Sequence, residues 1–119
     1  MKVGVFPGKF LPPHRGHITA ILRAHALCDK LYVVVSERTA EDGELCRSAG
    51  IGYISGVLRQ RWLSQELQGL GIEVLLQNEE FELFGNFYQL HRVSHTPGKV
   101  CFGLMINHSI FYSGDTVAI

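Results

Sequence analysis

Histidines at positions 14 and 17, in the stretch FPGKFLPPHRGH, flank an Arg-Gly pair directly behind an apolar run and directly ahead of a helical pattern. These residue types at this spacing suit an anion. Gly8 lets backbone approach a phosphate closely, Pro12 and Pro13 stiffen the approach to the helix, and Gly16 removes a side chain that would crowd it. A helix starting near Arg15 turns its unpaired N–H groups and the positive end of its dipole toward the same place. His14 and His17, three apart, occupy neighbouring positions of one face. Two imidazoles, the cations of Lys9 and Arg15 and a helix N-terminus therefore converge on one spot, which suits a polyphosphate. The plainer alternative is a capping turn with incidental histidines, in which Arg15 is a solvated helix-start residue.

The elements that must position this turn follow from apolar periodicity. Lys2 to Phe6 (KVGVF) is a short β-rich run ended by Pro7-Gly8. Ile18, Ile21, Leu22 and Cys28, with Ala24 beside them, predict a helix over Arg15 to Cys28. Leu31 to Val35 (LYVVV) is a continuous apolar run, as expected of a strand covered on both faces of a parallel sheet. The stretch from Ser36 to Gly52 is polar and glycine-punctuated and reads as a loop, with at most one helical turn near Glu44-Leu45-Cys46. Leu58, Trp62, Leu63, Leu67 and Leu70 predict a second helix, stopped by Gly69 and Gly71, and Ile72 to Leu76 predicts a third strand. Beyond Asn78-Glu79-Glu80 the pattern changes to strands over Phe84 to Val93, Val100 to Ile106 and Ile110 to Ser113, with tight turns at Pro97-Gly98 and Asn107-His108. The expected fold is α/β: an incomplete Rossmann-like parallel sheet in residues 1–80, then an antiparallel β-hairpin segment in residues 81–119. In such a sheet ligands bind beyond the carboxyl ends of the strands, where the HRGH turn and Ser36, Glu37 and Arg38 all lie.

GKFLPPHRGH resembles the HxGH signature of the nucleotidyltransferase superfamily, and within it the nicotinamide mononucleotide adenylyltransferase domain of bacterial NAD-biosynthesis regulators. The resemblance runs on through LYVVVSER, RQRWLSQEL and IEVLLQNEE, and so covers residues 1–80. It implies that a mononucleotide phosphate, that of nicotinamide mononucleotide above all, attacks the α-phosphorus of ATP and releases pyrophosphate, with Mg²⁺ bridging the pyrophosphate oxygens. It further implies that His14 and His17 stabilise the pentacoordinate transition state, His17 being the more essential, while Lys9 meets phosphate charge. Gly8, Phe10, Gly16, Ser36, Arg38 and Arg59 are the expected nucleotide-binding residues. The histidines are then expected to serve transition-state charge rather than folding, and to be protonated beside the triphosphate, so that activity falls at alkaline pH. ISGVLR, residues 54–59, is superficially similar to the family's second signature, ISxTxxR, whose arginine holds ATP phosphates. Arg59 precedes the third strand, however, whereas that signature follows the last strands of the sheet. A capped helix start with Ser55 as N-cap stands beside it.

LHRVSHTPGKVCFGLMINHSIFYSGDT resembles another family, the metallo-β-lactamase-fold hydrolases, in which the histidine of GHTPG and the aspartate of GDT are metal ligands. The matching positions are His95 and Asp115, with Ser94 in place of the glycine, and the implied metal is Zn²⁺. The family's HxHxDH cluster is missing, and two ligands cannot hold a catalytic zinc, which takes three protein ligands. His91, four residues before His95, is a third candidate nitrogen. Three further readings therefore stand beside the transferase: a nucleotide-binding module without turnover, an inactive truncated or fused remnant, and a metal-dependent hydrolase.

Composition narrows the partners. Eleven basic and eleven acidic residues cancel in a chain of 119, so bulk charge suggests neither nucleic acid nor a membrane surface. No apolar stretch approaches the ~20 residues of a membrane span. The chain opens at once on a strand, without a charged leader, and a cytoplasmic location is expected. Cys28, Cys46 and Cys101 are odd in number and form no CxxC pair, which suits reduced structural thiols. The expected partners are small-molecule nucleotides, and a second copy of the chain through exposed sheet edges.

Overall fold

The computed structural model describes residues 2–77 with their side chains, and residues 80–83, 86–96, 99–106, 109–113 and 117–118 as backbone only. The first six elements run β1 (Val3–Gly8), α1 (Arg15–Ala26), β2 (Lys30–Val35), α2 (Thr39–Ser48), α3 (Gly56–Glu66) and β3 (Glu73–Leu76). Strands β1 and β2 are parallel, in a register running from Val3 opposite Lys30 to Gly8 opposite Val35. Strand β3 joins β2 in parallel, from Tyr32 opposite Glu73 to Val35 opposite Leu76. Leu31 to Val35 are all buried, as the unbroken apolar run requires of a central strand. Leu31, Val33 and Val35 share one pleat face and pack with Ile21 of α1, Leu63 of α3, and Leu67 and Phe10. This Rossmann-like arrangement brings the carboxyl ends of β1 and β2, and the start of α1, to one edge.

Helix α3 begins as its sequence predicts. The Ser55 hydroxyl accepts the Leu58 N–H at 3.2 Å, and the chain leaves the helix through Gly69 and Gly71, both at positive φ. Helix α2 corrects the loop expected over residues 36–52. It has ten residues, of which only Asp42 and Cys46 are buried, so no apolar stripe announces it. Charge anchors it instead. The Arg38 N–H donates to Asp42 Oδ2 at 3.0 Å, and the same carboxylate takes up cations from two other elements.

A second sheet holds four antiparallel strands in sequential order: β4 (Glu80–Leu83), β5 (Asn86–Thr96), β6 (Lys99–Ile106) and β7 (Ser109–Ser113). The strand expected over residues 84–93 corresponds to β5, which starts at Asn86 and runs on to Thr96, and the short β4 over Glu80–Leu83 precedes it, where no strand was expected. The turns expected at Pro97-Gly98 and Asn107-His108 lie outside the described residues. The two-residue β8 (Val117–Ala118) pairs antiparallel with β1, so that the first sheet has the order β3-β2-β1-β8. Among the described residues no helix is long and apolar enough to cross a membrane.

Candidate functional site

His14 is the N-cap of α1, in extended backbone conformation. Its Nδ1 accepts the Gly16 N–H at 3.0 Å. In return, the His14 N–H donates to Nδ1 of His17 at 3.1 Å. The two histidines therefore form a reciprocal capping box, a task usually given to Ser or Thr with Glu or Gln. Their rings stack with centroids 3.7 Å apart, and Phe10 meets the His17 ring edge-on at 5.0 Å.

The tautomers follow from this network. A ring nitrogen that accepts a backbone N–H carries no proton, so each neutral imidazole bears its proton on Nε2. Both Nε2–H groups are thereby donors for a ligand. Burial, and then the charge of His14, hold the His17 imidazole below its ordinary value, which favours the neutral form. The expectation that the histidines serve charge and not folding is corrected here: both also close the first turn of α1. A proton on Nδ1 of His17 would break the cap, so the cap too favours the neutral ring in the free protein.

The turn itself is held by Phe10, buried at 2% exposure with φ of +53°. A left-handed backbone costs a side-chain-bearing residue about 1–2 kcal/mol, and burial of the ring offsets it. The ring folds back over Gly8, where a Cβ would lie 2.7 Å from Phe10 Cζ. A Cβ at Gly16 would lie 2.8 Å from His14 Cε1. Both glycines are required by close approach, of an aromatic ring in one case and a capping imidazole in the other.

Behind the turn lies a buried charge cluster. Arg59, wholly buried, donates from Nη1 to the Lys9 carbonyl at 2.8 Å and to the Ser36 carbonyl at 3.2 Å. Its Nη2 pairs with Asp42 Oδ2 at 3.0 Å, and Glu37 stands 3.6 Å away. The other Asp42 oxygen accepts the Lys9 ammonium at 2.7 Å. Burial pushes the Asp42 carboxyl up, but hydrogen bonds from Lys9, the Arg38 N–H and Arg59 outweigh it, and the net position is below the ordinary carboxylate value. Glu37 also accepts the Gly56 N–H at 2.8 Å and the Tyr53 hydroxyl, tying the start of α3 to the end of β2.

The structure thus brings His14, His17, Gly16, Gly8, Phe10 and Lys9 together. Arg59 lies behind them with its guanidinium on the backbone of the turn. Ser36 is buried; its N–H donates to the Gly8 carbonyl at 2.8 Å and its hydroxyl to Gln77 at 2.9 Å. The Arg38 side chain is exposed on the rim and reaches Glu41 at 3.2 Å. Asp42 is the residue that sequence reasoning missed. The available signal was Arg59, which shares its helix face with buried Leu63 and Leu67 at i, i+4 and i+8; a cation on an apolar stripe demands a buried anion.

Two clefts meet at His14. One, of about 540 Å³, runs from Lys9, Phe10 and His17 to an apolar wall of Leu45, Cys46, Ala49 and Ile51. The other, of about 560 Å³, lies between the starts of α1 and the end of α3 and is walled by Pro13, Arg15, Ile18, Trp62 and Glu66. Among the described residues no group of three or more His, Cys, Asp or Glu side chains is placed to hold a metal. His95 lies on β5, described as backbone alone, and Asp115 lies outside the described residues. Cys28 and Cys46 are free thiols.

No family model matches the chain. Among curated proteins, the phosphopantetheine adenylyltransferase of Mycoplasma capricolum is 49% identical over 37 residues, 31% of this chain and 26% of that protein. That of Levilactobacillus brevis is 34% identical over 58 residues, 49% of this chain and 36% of that protein. That of Streptococcus suis is 35% identical over 80 residues, 66% of this chain and 44% of that protein. The chain spans less than half the length of these relatives. The chain is similar in part to adenylyltransferases, in keeping with the HxGH nucleotidyltransferase superfamily that its turn and parallel sheet resemble.

Proposed function

We propose that this chain transfers an adenylyl group from ATP to a phosphomonoester acceptor. One observation carries the reading: two stacked imidazoles, each committed through Nδ1 to capping α1, leave paired Nε2–H donors at a helix N-terminus, in a cleft that Lys9 also lines. Such a cluster fits the charge that builds on phosphate oxygens when an α-phosphorus is attacked. An acceptor phosphate oxygen forms a bond to the α-phosphorus, the bond to the bridging oxygen breaks, and pyrophosphate leaves with that electron pair. The protein's contribution is position and preorganised donors, not a covalent step. The two carboxylates around the Lys9 ammonium, Asp42 and Glu41, are already engaged and do not suit the Mg²⁺ that the resemblance implies. Both Asp42 oxygens accept hydrogen bonds from Lys9, Arg38 and Arg59, and Glu41 is engaged by Lys9 and Arg38. A cation would therefore arrive on the triphosphate.

The acceptor is phosphopantetheine on this reading, not nicotinamide mononucleotide. The names of the relatives support it, and so does the cleft, which sets an apolar wall of Leu45, Ala49 and Ile51 opposite the cationic turn. An anionic head with an uncharged, partly apolar arm suits that pairing better than a flat cationic ring. The test is incubation with ATP, Mg²⁺ and either acceptor, with pyrophosphate release and product mass as readouts. An adenylylated phosphopantetheine is expected. A product from nicotinamide mononucleotide alone would overturn the acceptor, and ATP binding without pyrophosphate release from either would leave a nucleotide-binding module.

A further inference from the structure

We infer that Asp42, on the helix absent from the sequence expectation, is a positioning residue that aims Lys9 at the phosphate site. Lys9 is gripped at both ends by one buried ion pair. Arg59 holds its carbonyl at 2.8 Å, and Asp42 holds its ammonium at 2.7 Å; Arg59 and Asp42 hold each other at 3.0 Å. Neither anchor can shift alone, because both side chains are fully buried. The Lys9 side chain, by contrast, remains 30% exposed and lines the cleft with His14 and His17.

An ammonium has three N–H donors. Among the described residues two have partners, Asp42 and, at 3.5 Å, Glu41, which leaves one for a ligand. A lysine side chain is flexible and loses much rotamer freedom when a ligand orders it. Asp42 removes that freedom before the ligand arrives, so phosphate meets a cation already fixed in place. The loop reading of residues 36–52 had no such anchor. Helix α2 therefore serves the site without lining it through Asp42, and its burial is explained by the lysine it steers as much as by the arginine it neutralises.

Asp42→Asn keeps size and an acceptor for the Arg38 N–H and Arg59, but presents an amide that cannot grip the ammonium as a carboxylate does. Lys9→Met removes the ammonium itself. This inference rests on the phosphate reading of the turn, so the probe is inorganic triphosphate, read by calorimetry rather than by turnover. The expected outcome is about tenfold weaker binding for each single variant, and no further loss in the double variant, the signature of residues acting through one another. Losses that multiply, or wild-type affinity in Asp42→Asn, would overturn the role of Asp42. Wild-type protein that binds no triphosphate would instead overturn the phosphate reading. Should Asp42→Asn fail to fold, the wild-type protein still decides. Lys9 should react with an acetylating reagent several times more slowly than exposed Lys2, and labelling at the rate of Lys2 would show that Asp42 does not hold it.

Discussion

His17 accepts the backbone N–H of His14 through Nδ1 at 3.1 Å while the two imidazole rings stack 3.7 Å apart. One pair of side chains thus finishes a helix and presents donors to a ligand. The two tasks use different ring nitrogens and can be separated by substitution. His14→Ala removes the cap and should cost about 1 kcal/mol, seen as a lower midpoint in urea. His14→Asn retains a capping oxygen and should unfold close to wild type, yet lose the Nε2–H donor and with it about 10²–10³ in adenylyl transfer.

Gly16→Ala should also separate the two tasks. Alanine favours a helix over glycine by up to about 1 kcal/mol, but its Cβ would lie 2.8 Å from His14 Cε1 and push the ring off the cap. A melting temperature within a few degrees of wild type, with transfer reduced at least about tenfold, is the expected pair of results.

The close approach of His14, Gly16 and His17 at the start of α1 was legible because these residues are contiguous. The β-α-β run was legible because Leu31 to Val35 and the Ile18, Ile21, Ala24 spacing report burial directly. Helix α2 was not, since it is pinned by Asp42 rather than by an apolar face, and polar burial leaves no period in a sequence. The role of Arg59 was hidden for a related reason: its partners, Lys9, Ser36 and Asp42, come from three other parts of the chain. Nor could the pairing of Val117–Ala118 with β1 be read, because two residues carry no pattern.

Stability should depend on Arg59 far more than a surface arginine allows. Arg59→Met leaves buried Asp42 with Lys9 and the Arg38 N–H as its partners and removes the bonds to the Lys9 and Ser36 carbonyls. Breaking one side of a buried pair costs about 3–5 kcal/mol, so the urea midpoint should fall sharply. A change of less than about 1 kcal/mol would show the pair to be solvent-screened.

Acid should weaken the turn in two stages. The His17 value lies below the ordinary ~6.5 because of burial and His14. The unfolded chain therefore takes up its proton first, and this contribution, complete above ~6.5, is lost as pH falls through the depressed folded value. Asp42, held down by Lys9, Arg38 and Arg59 against its burial, contributes stability above ~3.9 that is lost as pH falls through its own lowered value. Melting temperatures should fall in both windows, and His17→Gln should remove the upper one while Asp42 still governs the lower. Transfer by neutral imidazoles should likewise decline on the acid side, with no loss on the alkaline side that traces to His17.

The most direct test is the rate of pyrophosphate release from ATP and phosphopantetheine by wild-type and His17→Ala protein near neutral pH. Loss of the capping acceptor should cost only about 0.5–1.5 kcal/mol, leaving the variant folded, as its melting curve would show. The account predicts a rate lower by about 10²–10³ in that folded protein. A folded variant that releases pyrophosphate within about threefold of the wild-type rate would contradict it, and would return both histidines to a purely structural role.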